Sequence, residues 1–219
     1  MFKLLVLLLI TLSAVSPAAV GRSSTIDNPC QVDATSTGTP KYLPIKEQIE
    51  LTITAANTTY TMCQRFKEAL RTVLTLNETN QLDSPIHNIP GLSLACNDSA
   101  LSAANVLGAF EDDYQDISAY IVYLQFLQNL QAKDNGKFAE NNHLVSNQFY
   151  SWRCSVNTIM RSNNLSVTQI VNSAVDKQLE SYAAKDSKNR YSLYYVLMKN
   201  AQDFAKNKTL KWATYLQTL

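Results

Sequence analysis

Apolar side chains recur at steps of three and four along most of this chain, the period of helices with one buried face. Over residues 43–74 the stripe is Ile45, Ile49, Ile53, Ala56, Tyr60, Cys63, Phe66, Leu70 and Val73. Leu51-Thr52-Ile53-Thr54 alternates locally like a strand, but a strand of some thirty residues is far beyond the roughly 3–10 usual in globular proteins. One long helix is therefore predicted, spanning roughly 45 Å at about 1.5 Å per residue. Residues 75–97 lose the period and carry Asn77, Asp83-Ser84-Pro85, Pro90 and Gly91, so they read as a connection.

A second helix is expected after Asn97-Asp98-Ser99, any of which can cap it. Its stripe is Leu107, Phe110, Tyr114, Ile117, Ile121, Leu124 and Leu127, ending near Gln131. Lys133-Asp134-Asn135-Gly136 is a tight turn signal. The third helix, over 141–162, repeats the spacing at Val145, Phe149, Trp152, Val156 and Met160. Residues 163–187 form another long connection, in which Val167, Ile170, Ala174 and Tyr182 suggest a short amphipathic helix. The last helix starts near Ser187 and buries Tyr194, Leu197, Ala201, Phe204, Trp212 and Tyr215.

Connection lengths then decide the architecture. A short link forces antiparallel neighbours, whereas a long one can climb back along the bundle and let the next helix run parallel to the last. Long, short, long describes an all-α, long-chain four-helix bundle of the up-up-down-down kind. It has two long crossover loops and a short extra helix in the last crossover. A five-helix domain of other topology is the alternative.

The N-terminus adds a compartment. Lys3 precedes the apolar run Leu4 to Ile10, and Ala19-Val20-Gly21 fits small-residue cleavage, so residues 1–21 read as a signal peptide. The apolar run is shorter than the ~20 residues a bilayer crossing needs. The expectation is a secreted, extracellular chain without membrane insertion, made of an N-terminal arm over 22–41 and a bundle domain over 42–219. Apolar residues are 46% of the whole, enough for a core, and five glycines with six prolines argue against a turn-rich β-sandwich. Without Lys3 the chain carries eighteen basic against eighteen acidic residues. No polybasic footprint exists, so nucleic acid and anionic membrane are not expected partners.

In an oxidising compartment four cysteines imply two disulfides, in one of three pairings. Cys154 lies two residues from both Trp152 and Val156, off the buried stripe, where it can meet a segment crossing the outside of the bundle. Cys30, before the first helix, is such a segment. The expected bridges are Cys30–Cys154 and Cys63–Cys96. No Cys-x-x-Cys pair occurs and neither histidine is near a cysteine, so no metal is expected. Asn57, Asn77, Asn97, Asn164 and Asn207 each begin an acceptor triplet for asparagine-linked glycan.

Catalytic chemistry finds little material. His87 and His143 fall in no ligand or triad spacing. Glu111-Asp112-Asp113 fans around a helix axis and reads as a solvated face. No phosphate-binding glycine loop is present. The expectation is a non-enzyme without cofactor.

The pieces Ala119-Tyr120-Ile121-Val122-Tyr123-Leu124, Phe149-Tyr150-Ser151-Trp152-Arg153-Cys154 through Met160, and an aromatic last helix with Trp212 near its end resemble the interleukin-6-type cytokines. The branch is that of leukaemia inhibitory factor, oncostatin M, ciliary neurotrophic factor and cardiotrophin-like cytokine. The resemblance implies a monomeric ligand that binds cell-surface receptor chains and brings them together to start intracellular kinase signalling. Exposed faces of the first and third helices would meet a shared signal-transducing receptor. The end of the last helix and the first long loop would meet a specificity receptor. Members that engage the leukaemia inhibitory factor receptor carry Phe-x-x-Lys at the start of the last helix; none occurs at that place here, and the nearest match, slightly upstream, is Tyr182-Ala183-Ala184-Lys185. Tyr182, Lys185 and Trp212 are thus the receptor-binding candidates, an aromatic with a neighbouring cation suiting an interface hot spot. The alternative function is a secreted helical-bundle inhibitor of the invertase and pectin-methylesterase inhibitor type. Its first cysteine pair lies only about ten residues apart, unlike Cys30 and Cys63. An apolar-ligand carrier is a third possibility.

Overall fold

The computed structural model describes Cys30 and residues 43–76, 86–93, 100–166 and 175–219. Among the described residues there are five α-helices: α1 (Ile45–Val73), α2 (Val106–Leu130), α3 (Ala139–Ser162), α4 (Lys177–Lys185) and α5 (Ser187–Leu216). A short 3₁₀ turn over Gln131–Asp134 follows α2, and no strand occurs among the described residues.

Local chemistry sets the boundaries. α1 starts directly after Pro44, whose fixed φ suits the edge of a helix. α2 starts later than the triplet Asn97–Ser99 suggests, and those three residues lie outside the described ones. Instead Asn105 precedes it, with its side-chain oxygen accepting from the Ser102 amide at 2.8 Å and tightening the entry turn. Between α2 and α3 the chain reverses through Asn135 and Gly136, both at positive φ (53° and 67°). Those are conformations that asparagine and glycine tolerate best. Asp176 caps α4 by accepting from the Gln178 and Leu179 amides. Asp186 ends α4 in extended backbone and caps α5 through the Asn189 amide at 2.7 Å. Of the apolar positions that suggested a short helix, 167–174 lie outside the described residues; α4 is anchored by Leu179 and Ala183.

The long helices pack as a bundle around one apolar core. α1 lies against α5 and α3, α2 against α3 and α5, and α4 rides on α5. Tyr120 of α2 stacks on Phe149 of α3 (5.3 Å), and Asn142 of α3 donates to the Leu124 carbonyl at 3.3 Å. Phe66 of α1 meets Phe138 at the start of α3 (5.6 Å), and Gln148 of α3 donates to the Ala55 carbonyl of α1 at 3.2 Å. Toward α5, Phe110 stacks on Trp212 (4.2 Å), Tyr120 packs on Phe204 (4.9 Å), and the Tyr194 hydroxyl donates to the Leu127 carbonyl at 2.8 Å.

The first connection is pinned by two α2 tyrosines. The Tyr123 hydroxyl donates to the Pro90 carbonyl at 2.8 Å. The Tyr120 hydroxyl is shared between the carbonyls of Ser93 and Asn200, each 3.1 Å away.

Cys30 is bonded to Cys154, with Cα atoms 5.2 Å apart. Cys63 differs from expectation. It is a free, fully buried thiol at the centre of the α1 stripe, facing the bundle interior, where burial pushes its pKa well above the ordinary thiol range. Its expected partner Cys96 lies outside the described residues, as do the signal segment 1–21 and all of the arm except Cys30. No helix among the described residues is long and apolar enough to cross a membrane.

Candidate functional site

A cleft of about 580 Å³ opens between the first connection and α4. Ile86, Asn88 and Pro90 form one wall; Asp176, Lys177, Gln178, Ser181, Tyr182 and Lys185 of the α4 segment form the other, with Leu179 at the base. Residues three apart on a helix share a face, so Tyr182 and Lys185 lie one turn apart along the same rim. Tyr182 is half-buried and Lys185 exposed.

Both walls are held from below. Leu179 and Ala183 sink into the core and fix the roll of α4. Asn189 donates to the Tyr182 carbonyl at 3.2 Å, and Arg190 to the Ala183 carbonyl at 3.2 Å, so the last turn of α4 is tied to the first turn of α5. Arg190 also forks onto Asp134 through Nε (2.7 Å) and Nη2, a buried bidentate pair that raises the guanidinium pKa further. The opposite wall stands on buried Ile89 and on the Tyr123 bond to Pro90. Burial chiefly raises the Tyr123 pKa and keeps that hydroxyl a donor.

The structure thus brings Tyr182 and Lys185 beside the first connection, but removes Trp212 from the candidates. Trp212 is 0% exposed. It stacks on Phe110 and donates its indole N–H to Asp113 at 2.6 Å, so it belongs to the core and cannot touch a partner. The reading of Asp113 as part of a solvated face is also corrected. Asp113 is fully buried, ion-paired with buried Lys208 at 2.5 Å, while Asp116 takes the same ammonium at 3.0 Å. The signal was present in the spacing: Asp113 is three residues after Phe110 and four before Ile117, hence on their stripe. This cluster is sealed and offers no open position to a ligand.

A second surface went unread in the sequence. Leu51 of α1 (51% exposed) and Leu144 of α3 (49% exposed) are large apolar side chains left outside the core. Near them Thr54, Asn147 and Ser151 are exposed and uncharged, while exposed Glu47 and Glu140 stand one turn before Leu51 and Leu144. Off-stripe leucines on two helices were the signal, and only the packing of α1 on α3 shows that they belong to one side.

The remaining chemical candidates are scattered. His87 is exposed beside the cleft wall, and His143 is exposed on α3, where it bonds Asn147 at 3.0 Å. Among the described residues no group of three potential ligands could hold a metal. Of the glycan acceptors, Asn57 and Asn164 are exposed and Asn207 half-buried; Asn77 and Asn97 lie outside the described residues.

Comparison of the chain with protein-family models, with curated proteins and with solved structures finds no match.

Proposed function

We propose that this chain is a secreted cytokine of the up-up-down-down four-helix kind, acting by binding cell-surface receptor chains of the interleukin-6 type and bringing them together. The observation that carries the reading is the order of helix contacts. α1 packs on α5 and α3, and α2 on α3 and α5. Rising positions on α2 meet falling positions on α3 and on α5, and the two α1–α3 contacts follow the same rule. That is expected if α1 and α2 run one way and α3 and α5 the other; an all-short bundle would set α1 beside α2 instead. The course of the first connection agrees, since Pro90 then Ser93 meet Tyr123 then Tyr120, a descent along α2 toward its start.

In this reading the α1–α3 side with Leu51 and Leu144 meets one receptor chain, and the cleft rim with Tyr182 and Lys185 meets a second. An aromatic anchor such as Tyr182 beside a cation suits the composition of an interface hot spot. No catalytic step is proposed, and no cofactor. Purified protein applied to cells bearing the shared signal-transducing receptor is expected to induce tyrosine phosphorylation of the receptor-associated kinases. Silence on every receptor-bearing line would retire the proposal. Tyr182→Ala with Lys185→Ala is expected to weaken binding to the second chain by about tenfold or more at unchanged helix content.

A further inference from the structure

We propose that the outward ridge of α5 is a carbohydrate-covered face, bearing asparagine-linked oligosaccharides at Asn57 and Asn207, and that partner chains approach only from the α1–α3 side and the α4 cleft. The second half rests on the receptor-binding reading; the first needs only secretion.

Helix geometry brackets the ridge between the two asparagines. Ala55, whose carbonyl accepts from Gln148, marks the α3 side of α1. Asn57 lies about 200° further round at roughly 100° per residue, on the flank next to α5. On α5, Gln202 accepts from Lys67 and marks the α1 side. Asn207 is five residues on, about 140° round. It shares the opposite flank with Asn200, whose carbonyl accepts from Tyr120 of α2. Between these flanks Lys199, Asp203, Lys206 and Leu210 are exposed, a mostly charged and solvated strip. The two asparagines also stand at similar height. From the Lys67–Gln202 contact, Asn57 is about 15 Å away along α1 and Asn207 about 8 Å along α5. With opposed helix directions those steps point the same way.

The folded helices show when transfer must occur. The third residues of the triplets, Thr59 and Thr209, bond their hydroxyls to the Ala55 and Ala205 carbonyls at 2.8 and 2.9 Å, and Thr59 is buried. A transferase reading the hydroxyl therefore needs the unfolded chain during translocation. The donor is an oligosaccharide on a lipid pyrophosphate. The Asn Nδ2 forms a bond to the anomeric carbon, the anomeric carbon–phosphate oxygen bond breaks, the lipid pyrophosphate leaves with the electron pair, and the amide gives up one proton. Folding then points both sugars outward across one ridge. Neither α1–α3 leucine lies within an acceptor triplet.

The experiment uses the full chain secreted from animal cells, with glycans released enzymatically in ¹⁸O-water before peptide mapping. Labelled Asp at positions 57 and 207 in most molecules is expected; unlabelled Asn at either position overturns the covered ridge. Thermal melting of Asn57→Gln with Asn207→Gln checks folding. That double variant is expected to bind receptor-bearing cells within about twofold of the parent. Leu144→Asn completes a triplet with Val145 and Ser146, and its glycan is expected to lower binding at least about tenfold until enzymatically removed. Full binding with that glycan present, or a tenfold change on losing the ridge glycans, overturns the approach rule. If no variant binds any cell, the receptor reading alone fails, and occupancy still decides the ridge.

Discussion

Lys208→Met puts the buried charges to a direct test. The ammonium lies 2.5 Å from Asp113 and 3.0 Å from Asp116, and the other Asp113 oxygen takes the Trp212 N–H at 2.6 Å. The Lys208 and Asp113 side chains are 3% and 0% exposed. Methionine keeps much of the stem that lies by Phe204, so packing changes little. What changes is that Asp113 keeps one neutral donor and no cation in a dry site. Breaking a buried pair in this way costs about 3–5 kcal/mol. For a chain of this size each kcal/mol is worth about 2–4 °C, so the melting temperature is expected to fall by about 6–20 °C. Adding Asp113→Asn removes the stranded charge while its amide oxygen still accepts from Trp212, leaving a loss of about 1–3 kcal/mol for one unmade amide hydrogen bond. The double variant is therefore expected to be more stable than Lys208→Met alone, measured by urea unfolding at matched slopes. A cost below about 1 kcal/mol for Lys208→Met, or simple addition in the pair, refutes the reasoning. The pH dependence follows from the signs. Burial alone would lower the Lys208 pKa, but Asp113 and Asp116 outweigh it and raise it above the lysine range. Its contribution is thus complete below the ordinary lysine value and lost only as pH climbs past the raised one. Asp116 is raised as well, by burial first and against the pull of Lys208. Its share is full in acid and fades as pH rises through that raised value, so mild acid leaves the cluster closed.

Burial raises the pKa values of Tyr120 and Tyr194 far above the usual tyrosine value, so stability is full below about pH 10 and drops above it as the unfolded chain ionises. Tyr120→Phe is expected to flatten that alkaline loss in melts taken across the range. Tyr123→Phe removes the bond to Pro90 at a cost of about 1 kcal/mol and is expected to speed hydrogen exchange in 86–93 without disturbing α3; unchanged exchange there rejects the pin. Cys154→Ala opens a bridge spanning 124 residues, which the chain-entropy model values at about 5 kcal/mol. Reductant is expected to lower the melting temperature of the parent and leave that of the variant unmoved.

Helices and their buried faces were legible because burial follows the 3.6-residue period. Each stripe position from Phe110 to Leu127 on α2 is buried, as are Val145, Phe149, Trp152, Val156 and Met160 on α3. The start of α2 was not legible, since Asn97, Asp98 and Ser99 cap as well in principle as the turn that Asn105 closes. Asp113 was misread for a different reason, its partner being Lys208. A charge on an apolar stripe is buried only if a partner of opposite sign arrives from another helix, and that partner stands 95 residues away. Trp212 was named both as core and as contact, and only its stacking on Phe110 decides. Of the candidate site, a short helix in the last connection was expected from its apolar positions, and Tyr182 and Lys185 were singled out only through the family resemblance. The facing wall was not legible, because residues 86–90 have no period to read, and their position depends on the Tyr123 hydroxyl, 33 residues further along the chain.

The polar contacts supply what the apolar stripes cannot. Stripes repeating every three or four residues fit each other at several offsets of one turn, with similar area buried at each. A buried carboxylate has less freedom, because sliding α5 by one turn of about 5.4 Å would strip Asp113 of its cation in the core. The same holds for Tyr194 on the Leu127 carbonyl and for Gln148 on the Ala55 carbonyl: each accepts one register and penalises its neighbours. The tyrosines of the run 119–124 extend this to the first connection, since Tyr123 and Tyr120 hold Pro90 and Ser93, pairs three residues apart on both segments. Register therefore determines surface. The cleft exists because the connection is nailed at the height of α4, and the two leucines share a side because α1 and α3 are locked by Ala55 and Gln148. Any change that lets a helix slip, even one wholly inside the core, is expected to damage partner binding before it unfolds the chain.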